Sequence, residues 1–394
     1  MISIAGTQMQ TWALFWHIRS LTDQPIALGG VGLARIVPLL IFSLVGGAVA
    51  DVVNRRNLVF LTQTVMAALA LILALLTFQG RIALWHIYLL TAIQAAALAF
   101  DSPARQALVP NLVPREELPN AFSMTSIAFQ TGSILGPAFS GLVIAYWGQG
   151  YTYLINAVTY LAVLVALVLM GAVPQEAIPG RPMVSINSIQ EGVRFIRNNP
   201  IILSTMIIDF FATFFSSANT LMPIFARDVL HVGEVEYGWL SSAQSVGAVT
   251  AALVISQVKG MRRQGPIFLT AVVAFGLATI LFGMSRTLAM AMIGLVLIGA
   301  SDSVSTIIRN TIRQMQTPDY IRGRMTSVNQ IFFMGGPQLG EIEAGVVAQL
   351  LGAPLAVVSG GAGCLVAVYL IARRWPVLRR YNGDEPALAG VAAD

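Results

Sequence analysis

Gly47-Ala48-Val49-Ala50-Asp51-Val52-Val53-Asn54-Arg55-Arg56 is the stretch on which the reading of the whole chain turns. A long apolar run stops there at a carboxylate, and a paired guanidinium follows. The small residues on the way in permit close helix contact in lipid. Asp51 can accept hydrogen bonds from nearby backbone or from the arginines, and Arg55 and Arg56 hold the short turn on the cytoplasmic side. The stretch reads as a hinge between two membrane spans.

Composition agrees with that reading. Of 394 residues 56% are hydrophobic and only 10% are charged, against roughly 25% charged for soluble domains. A soluble fold of this length cannot hide so much apolar side chain, and the 35 glycines fit helices that must approach closely in lipid. The composition is that of an all-α polytopic membrane protein. A net charge of +5 raises the question of nucleic acid, but the basic residues sit at the ends of apolar segments and form no continuous basic face. No nucleic-acid partner is expected. Cys364, the single cysteine, supplies neither a disulfide nor a redox pair and reads as a small packing residue. His17, His86 and His231 show no ligand spacing, so neither metal nor cofactor is expected.

With about 20 apolar residues needed per crossing helix, twelve spans are expected: 1–21, 29–51, 57–79, 83–104, 119–146, 151–172, 201–227, 236–258, 265–284, 288–312, 323–350 and 353–375. Four regions follow: an N-terminal six-helix repeat (1–172), a linker (173–200), a C-terminal six-helix repeat (201–375) and a tail (376–394). In the linker, Ser188-Ile189-Gln190-Glu191 has the spacing of a capping box, and Ile186, Ile189, Val193 and Ile196 are spaced for one apolar face of an amphipathic helix. Apart from Arg19, Arg35, Arg81, Arg227 and Arg286, the 23 basic residues lie in or beside the loops after even-numbered spans, or in the tail. Both termini are therefore expected in the cytoplasm.

The halves repeat. At a spacing of 204 residues Arg105 meets Arg309, Pro114 meets Pro318, Gly132 meets Gly336, Gly136 meets Gly340, Gly141 meets Gly345 and Gly148 meets Gly352. A second register places Gly29 on Gly238 and Arg55-Arg56 on Arg262-Arg263. Two parallel repeats with a site between them are the arrangement this predicts. Against the seventh span the first is short by about eight residues, roughly two turns, and a truncated first helix is the expectation.

The Gly47–Arg56 signature resembles the loop between the second and third helices of the major facilitator superfamily. Asp101-Ser102-Pro103-Ala104-Arg105-Gln106-Ala107-Leu108-Val109-Pro110, Leu112-Val113-Pro114-Arg115-Glu116-Glu117-Leu118, Tyr320-Ile321-Arg322-Gly323-Arg324 and Gly336-Pro337-Gln338-Leu339-Gly340-Glu341-Ile342-Glu343-Ala344-Gly345 are similar to its branch of enterobactin exporters and macrolide efflux proteins. The resemblance implies a monomeric inner-membrane secondary exporter of a small molecule, driven by protons. It also implies a cavity lined by the first, fourth, seventh and tenth spans. A transport-inactive sensor or scaffold of the same fold is the alternative. No nucleotide-binding loop or nucleophile-base constellation points to an enzyme.

The candidate residues fall into three sets. A cytoplasmic latch is expected from Gly47, Asp51, Arg55 and Arg56 with Asp101 and Arg105, in which Arg56 reaches Asp101 and Asp51 faces the amino end of the eleventh span. Arg35, Asp209, Glu341 and Glu343 are charges within spans, where such residues usually face the bundle interior or a water-filled cavity. Arg35 with Glu343, or with Glu341, is the expected outer gate. Asp209, with no basic residue near it on its own helix, is the expected proton carrier. Cavity candidates are Gln8, Gln10, Trp12, Trp16 and His17 in the first span, Phe210, Phe214 and Asn219 in the seventh, and Asp302 in the tenth. Gln8 with Ser217 and Gln10 with Asn219 hold matching repeat positions.

Overall fold

A computed structural model describes residues 2–171, 186–216, 218–258 and 260–383. It is 89% helical. The helices are α1 (Ile2–Leu21), α2 (Pro25–Val52), α3 (Arg55–Phe78), α4 (Leu84–Leu108), α5 (Leu118–Trp147), α6 (Gln149–Leu169), α7 (Ile186–Asn198), α8 (Pro200–Phe215), the single turn α9 (Met222–Ile224), α10 (Glu234–Ser256), α11 (Gln264–Gly283), α12 (Leu288–Met315), α13 (Asp319–Leu351), α14 (Ala353–Arg374) and α15 (Pro376–Arg380). Among the described residues ten helical segments are long and apolar enough to cross a membrane, against the twelve expected. Large apolar side chains such as Leu169 and Leu350 point outward, 81% and 76% exposed, as suits a lipid solvent.

The chain forms two units. Unit 1 holds 1–184 and 222–242; unit 2 holds 185–221 and 243–394. In unit 1, α2 packs on α4, α3 on α6 and α4, and α1 on α5 and α6. In unit 2, α11 packs on α12 and α14, and α8 on α13 and α14. Internal equivalence extends to the backbone. Gly148 turns α5 into α6 at φ 87°, and Gly352 turns α13 into α14 at φ 84°, a left-handed conformation that costs glycine little and other residues more. Gly132 lies against Ile4 and Ala5 of α1, while Gly336 lies against Thr213 and Phe210 of α8.

Two expectations about local structure are corrected. The linker helix is described from Ile186 onward, so Ser188 lies within the helix and not at its N-cap. The seventh span is not one helix. It breaks after Phe215 into a 3₁₀ turn (Ala218–Leu221), the α9 turn and a π turn (Phe225–Val229). Pro223 brings no N–H to this stretch. Irregular backbone at membrane depth is tolerated where protein covers it, and Thr220, Leu221, Met222, Phe225 and Ala226 are fully buried.

Candidate functional site

The cytoplasmic signature assembles differently from the expected latch. Arg56 donates from Nε to the Leu167 carbonyl at 2.8 Å and does not reach Asp101. Arg55 bonds the Ala107 carbonyl at 3.1 Å and Asn111 Oδ1 at 3.0 Å. Both arginines thus hold orphan carbonyls or an amide near helix ends, an ordinary task for a guanidinium at a helix terminus. Asp101 is buried and fully partnered within unit 1: Arg105 is 3.0 Å away, Thr62 Oγ1 2.8 Å and Gln63 Nε2 2.9 Å. Asp51's side chain lies outside the described residues. Close approach of α2 to α4 rests on Gly46, whose added Cβ would strike the Ala99 carbonyl, and not on Gly47, which faces open space.

The first-span cavity candidates pack largely inside unit 1. Gln10 is buried, donating to Gln94 Oε1 at 3.0 Å and accepting from Asn156 Nδ2 at 2.7 Å. Gln8 donates to Ser133 at 3.0 Å, and His17 bonds Tyr153 at 3.1 Å. Trp12 and Trp16 meet the Tyr237 ring at 6.2 and 4.8 Å between centroids. These contacts fasten α1 to α4, α5, α6 and the start of α10. Arg35 places its guanidinium 5.4 Å from the Phe15 ring centre, a cation–π contact. Arg35 belongs to unit 1, and Glu341 and Glu343 belong to unit 2.

Unit 2 brings together charges that the sequence kept apart. Asp209 on α8 lies 2.9 Å from Arg309 and 3.5 Å from Arg313, both on α12, and Arg309 is 3.8 Å from Asp302. Arg313 also donates to Thr205 at 3.3 Å, and Arg309 to Ser305 at 3.2 Å. Asp209 and both arginines are at most 4% exposed, whereas Asp302 is 42% exposed. The expectation of Asp209 as a carboxylate without cationic company is therefore corrected: its own helix offers none, but α12 supplies two. Sequence reading passed over Arg309 and Arg313, although the repeat register pairing Arg309 with Arg105 was a signal for the first. Phe210, next to Asp209, stacks on Phe214 one turn further along α8 at 6.1 Å between ring centres, with Phe332 edge-on to Phe210 at 6.1 Å. Asn219 sits half-buried in the 3₁₀ turn.

A second cluster was also missed. At the end of α1, Arg19 grips Asp228 of the π turn with Nη2 at 2.8 and 3.0 Å and Nε at 3.2 Å, and also pairs with Asp23. The guanidinium beside it holds the Asp23 carboxyl below its ordinary range. Tyr237 adds a bond to the Trp12 carbonyl at 2.8 Å. The whole cluster lies within unit 1.

Apolar helices in two equivalent units, with ion pairs and polar networks buried between them inside each unit, define a membrane transporter of the major facilitator type. Solved structures match in fold: a bacterial homolog of the human lysosomal transporter Spinster, inward-facing and unoccupied, at TM-score 0.73 and 15% identity over 96% of each chain, and the nucleoside transporter NupG at TM-score 0.74 and 13% identity over 96% of this chain and 98% of that one. The family described as transmembrane secretion effector, within that superfamily, matches residues 1–386, and the chain belongs to it. Relatives include the enterobactin exporter EntS of Shigella boydii serotype 18, 26% identical over 343 residues covering 87% of this chain and 82% of that protein. EntS of Escherichia coli (strain SMS-3-5 / SECEC) is 25% identical over 345 residues, covering 88% and 82%. Family and relatives are transporters rather than enzymes.

Proposed function

We propose that this protein exports a small amphipathic molecule, a drug or a siderophore, across the bacterial inner membrane by proton antiport with alternating access. It would act as a monomer with both termini in the cytoplasm. Its relatives' role as enterobactin exporters supports export of a compound of that general size. The observation that carries the reading is the charge cluster on α8 and α12. Two carboxylates and two guanidiniums inside a membrane unit are expensive to keep, and only Asp302 among them is substantially accessible. In this reading Asp302 meets polar groups of the substrate, and the Phe210–Phe214–Phe332 group takes its apolar body. Asp209, paired with Arg309 and Arg313, anchors α8 to α12 and keeps the site in register. Gly47, Asp51, Arg55 and Arg56, with the Asp101–Arg105 pair, serve the cytoplasmic latch. Purified protein in liposomes with an imposed pH gradient, offered enterobactin and a macrolide in turn, tests this. Movement of either compound that accelerates with the gradient is expected. Movement indifferent to the gradient refutes antiport, and movement of neither compound refutes the substrate class.

A further inference from the structure

Glu343 has not been given a role by the site just described. It lines a small cavity within unit 2, with room for about one water molecule. The cavity is walled by Phe215, Ser216 and Leu221 at the break in the seventh span, Thr279 of α11, Ala344 of α13, and Ala356 and Val357 of α14. Among the described residues no ion pair or hydrogen bond reaches the Glu343 carboxylate.

Its neighbours explain why. The surrounding elements hold few charges: α11 contains none, α14 carries only Arg373 and Arg374 in its last turn, and the charge of α8 is Asp209. Asp209 is occupied on α12. The thiol of Cys364 is turned to the Val272 carbonyl at 3.9 Å. On α13 itself Glu341 is another acid. Among the described residues of unit 2 none neutralises an ionised Glu343, and an uncompensated charge in an apolar interior is costly enough that such a group is held neutral by a proton instead.

One further feature points the same way. Ser216 Oγ, at the C-terminal end of α8, is buried beside the Cys364 thiol and has no oxygen or nitrogen partner. It is a donor placed beside an acid that is ready to accept. The Phe215 carbonyl next to it lies over Gly360 of α14, where an added Cβ would collide with it, so the break is held against the cavity wall by close backbone packing.

We infer that Glu343 is a proton-binding site of this transporter, holding a proton in the arrangement described here and giving it up when the broken segment of the seventh span moves. In the protonated state Oε–H is neutral and the cavity needs no counter-charge. On loss of that proton to water, the carboxylate gains a reason to accept from Ser216 Oγ, which draws the C-terminal end of α8 toward α13. Proton occupancy and the shape of the break are then linked by one side chain. The assignment rests on the antiport reading for its purpose, but not for its test.

The test is difference infrared spectroscopy of the full chain in liposomes across pH 5 to 9, on protein labelled with ¹³C-glutamate. A protonated-carboxyl C=O band is expected at the acid end, shifted by the label, lost as pH rises, absent in Glu343→Gln and retained in Glu341→Gln. Should Glu343→Gln not fold, Glu343→Asp in labelled protein is expected to keep a titrating band without the isotope shift. No such band in the wild type, or an unchanged labelled band in either Glu343 variant, overturns the assignment. In parallel, enterobactin efflux from the same liposomes is expected to lose its acceleration by a pH gradient in Glu343→Gln. Gradient-driven efflux at the wild-type rate in that variant overturns the assignment and leaves antiport standing. Absence of any enterobactin or macrolide movement by the wild type removes the export reading, while the spectroscopic result still decides for or against Glu343.

Discussion

Replacing Asp209 with Asn should destabilise unit 2 by an amount the geometry sets. At an effective dielectric near 20, the ion pairs at 2.9 and 3.5 Å are each worth roughly 5 to 6 kcal/mol of attraction. Removing the carboxylate also removes its own desolvation penalty, which is several kcal/mol, so the net loss falls to about 3–5 kcal/mol for breaking a buried pair from one side. Asp302, at 3.8 Å from Arg309, can move closer and relieve part of this, which places the result toward the lower end. For a cooperative unit of 150–250 residues, 2–4 °C per kcal/mol converts the loss to a midpoint about 6 to 20 °C lower. Cys364, the single cysteine, is fully buried on α14 in unit 2, so a thiol-reactive fluorogenic dye reads this unfolding at a known place. The charge account makes a second demand. Asp209→Asn leaves one guanidinium in excess, and adding Arg313→Gln restores balance, so the double variant should melt above Asp209→Asn alone. A single variant within about 2 °C of wild type, less than 1 kcal/mol at that scale, or a double variant no better than the single, would refute the view that these charges balance one another.

Three more outcomes follow from particular contacts. Arg19 and Asp228 form a partly exposed pair, so Asp228→Asn should change stability by at most about 1 kcal/mol, yet remove the salt dependence of transport that a screened pair at the end of α1 imparts; equal salt dependence in both proteins counts against a role for the pair. Asp23 is held below its ordinary range by Arg19, so the contribution of this contact is complete above about pH 4 and is lost only as pH falls through the lower folded value; carboxyl NMR of Asp23 should show no change from pH 8 to 5 and a midpoint that rises in Arg19→Gln. Gly360→Ala should cost about 1–3 kcal/mol through overpacking on the Phe215 carbonyl, whereas Gly47→Ala, facing open space in a helix interior, should stabilise by about 0.5–1 kcal/mol; thermal midpoints of the two variants moving in the same direction would contradict the packing described.

What could be read from the sequence was whatever repeats or whatever terminates a span. The glycines at 204-residue spacing became equivalent contacts, Gly132 on α1 and Gly336 on α8, and equivalent turns at Gly148 and Gly352. Partners across helices were not readable, because hydropathy and spacing constrain one helix at a time. Arg56 illustrates this: its position at a helix start was evident, but its choice of the Leu167 carbonyl over Asp101 depends on where α6 ends. Gln10 and His17 looked like cavity groups because polar residues in a span suggest function, yet Asn156, Gln94 and Tyr153 were available to satisfy them in place. The break in the seventh span left only Pro223 as a trace, since Gly360, the residue that admits the Phe215 carbonyl, lies on another helix.

The repeat is most informative where it fails. In unit 1 Arg105 takes its carboxylate, Asp101, from one turn earlier on its own helix. In unit 2 the position equivalent to Asp101 is Ser305, and Arg309, bonded to that serine, turns to Asp209 on α8 instead. The same guanidinium is therefore satisfied within one helix in the first half and between two helices in the second. An intrahelical pair survives when its helix moves as a body, but an interhelical pair must break or travel with both. The second half thus ties α8 to α12 through one buried charge cluster, and the helix ends at Phe215, about two turns beyond Asp209. The part of the seventh span before the break is fastened, and the part after it, with Glu343 beside it, is where movement within that span can be absorbed.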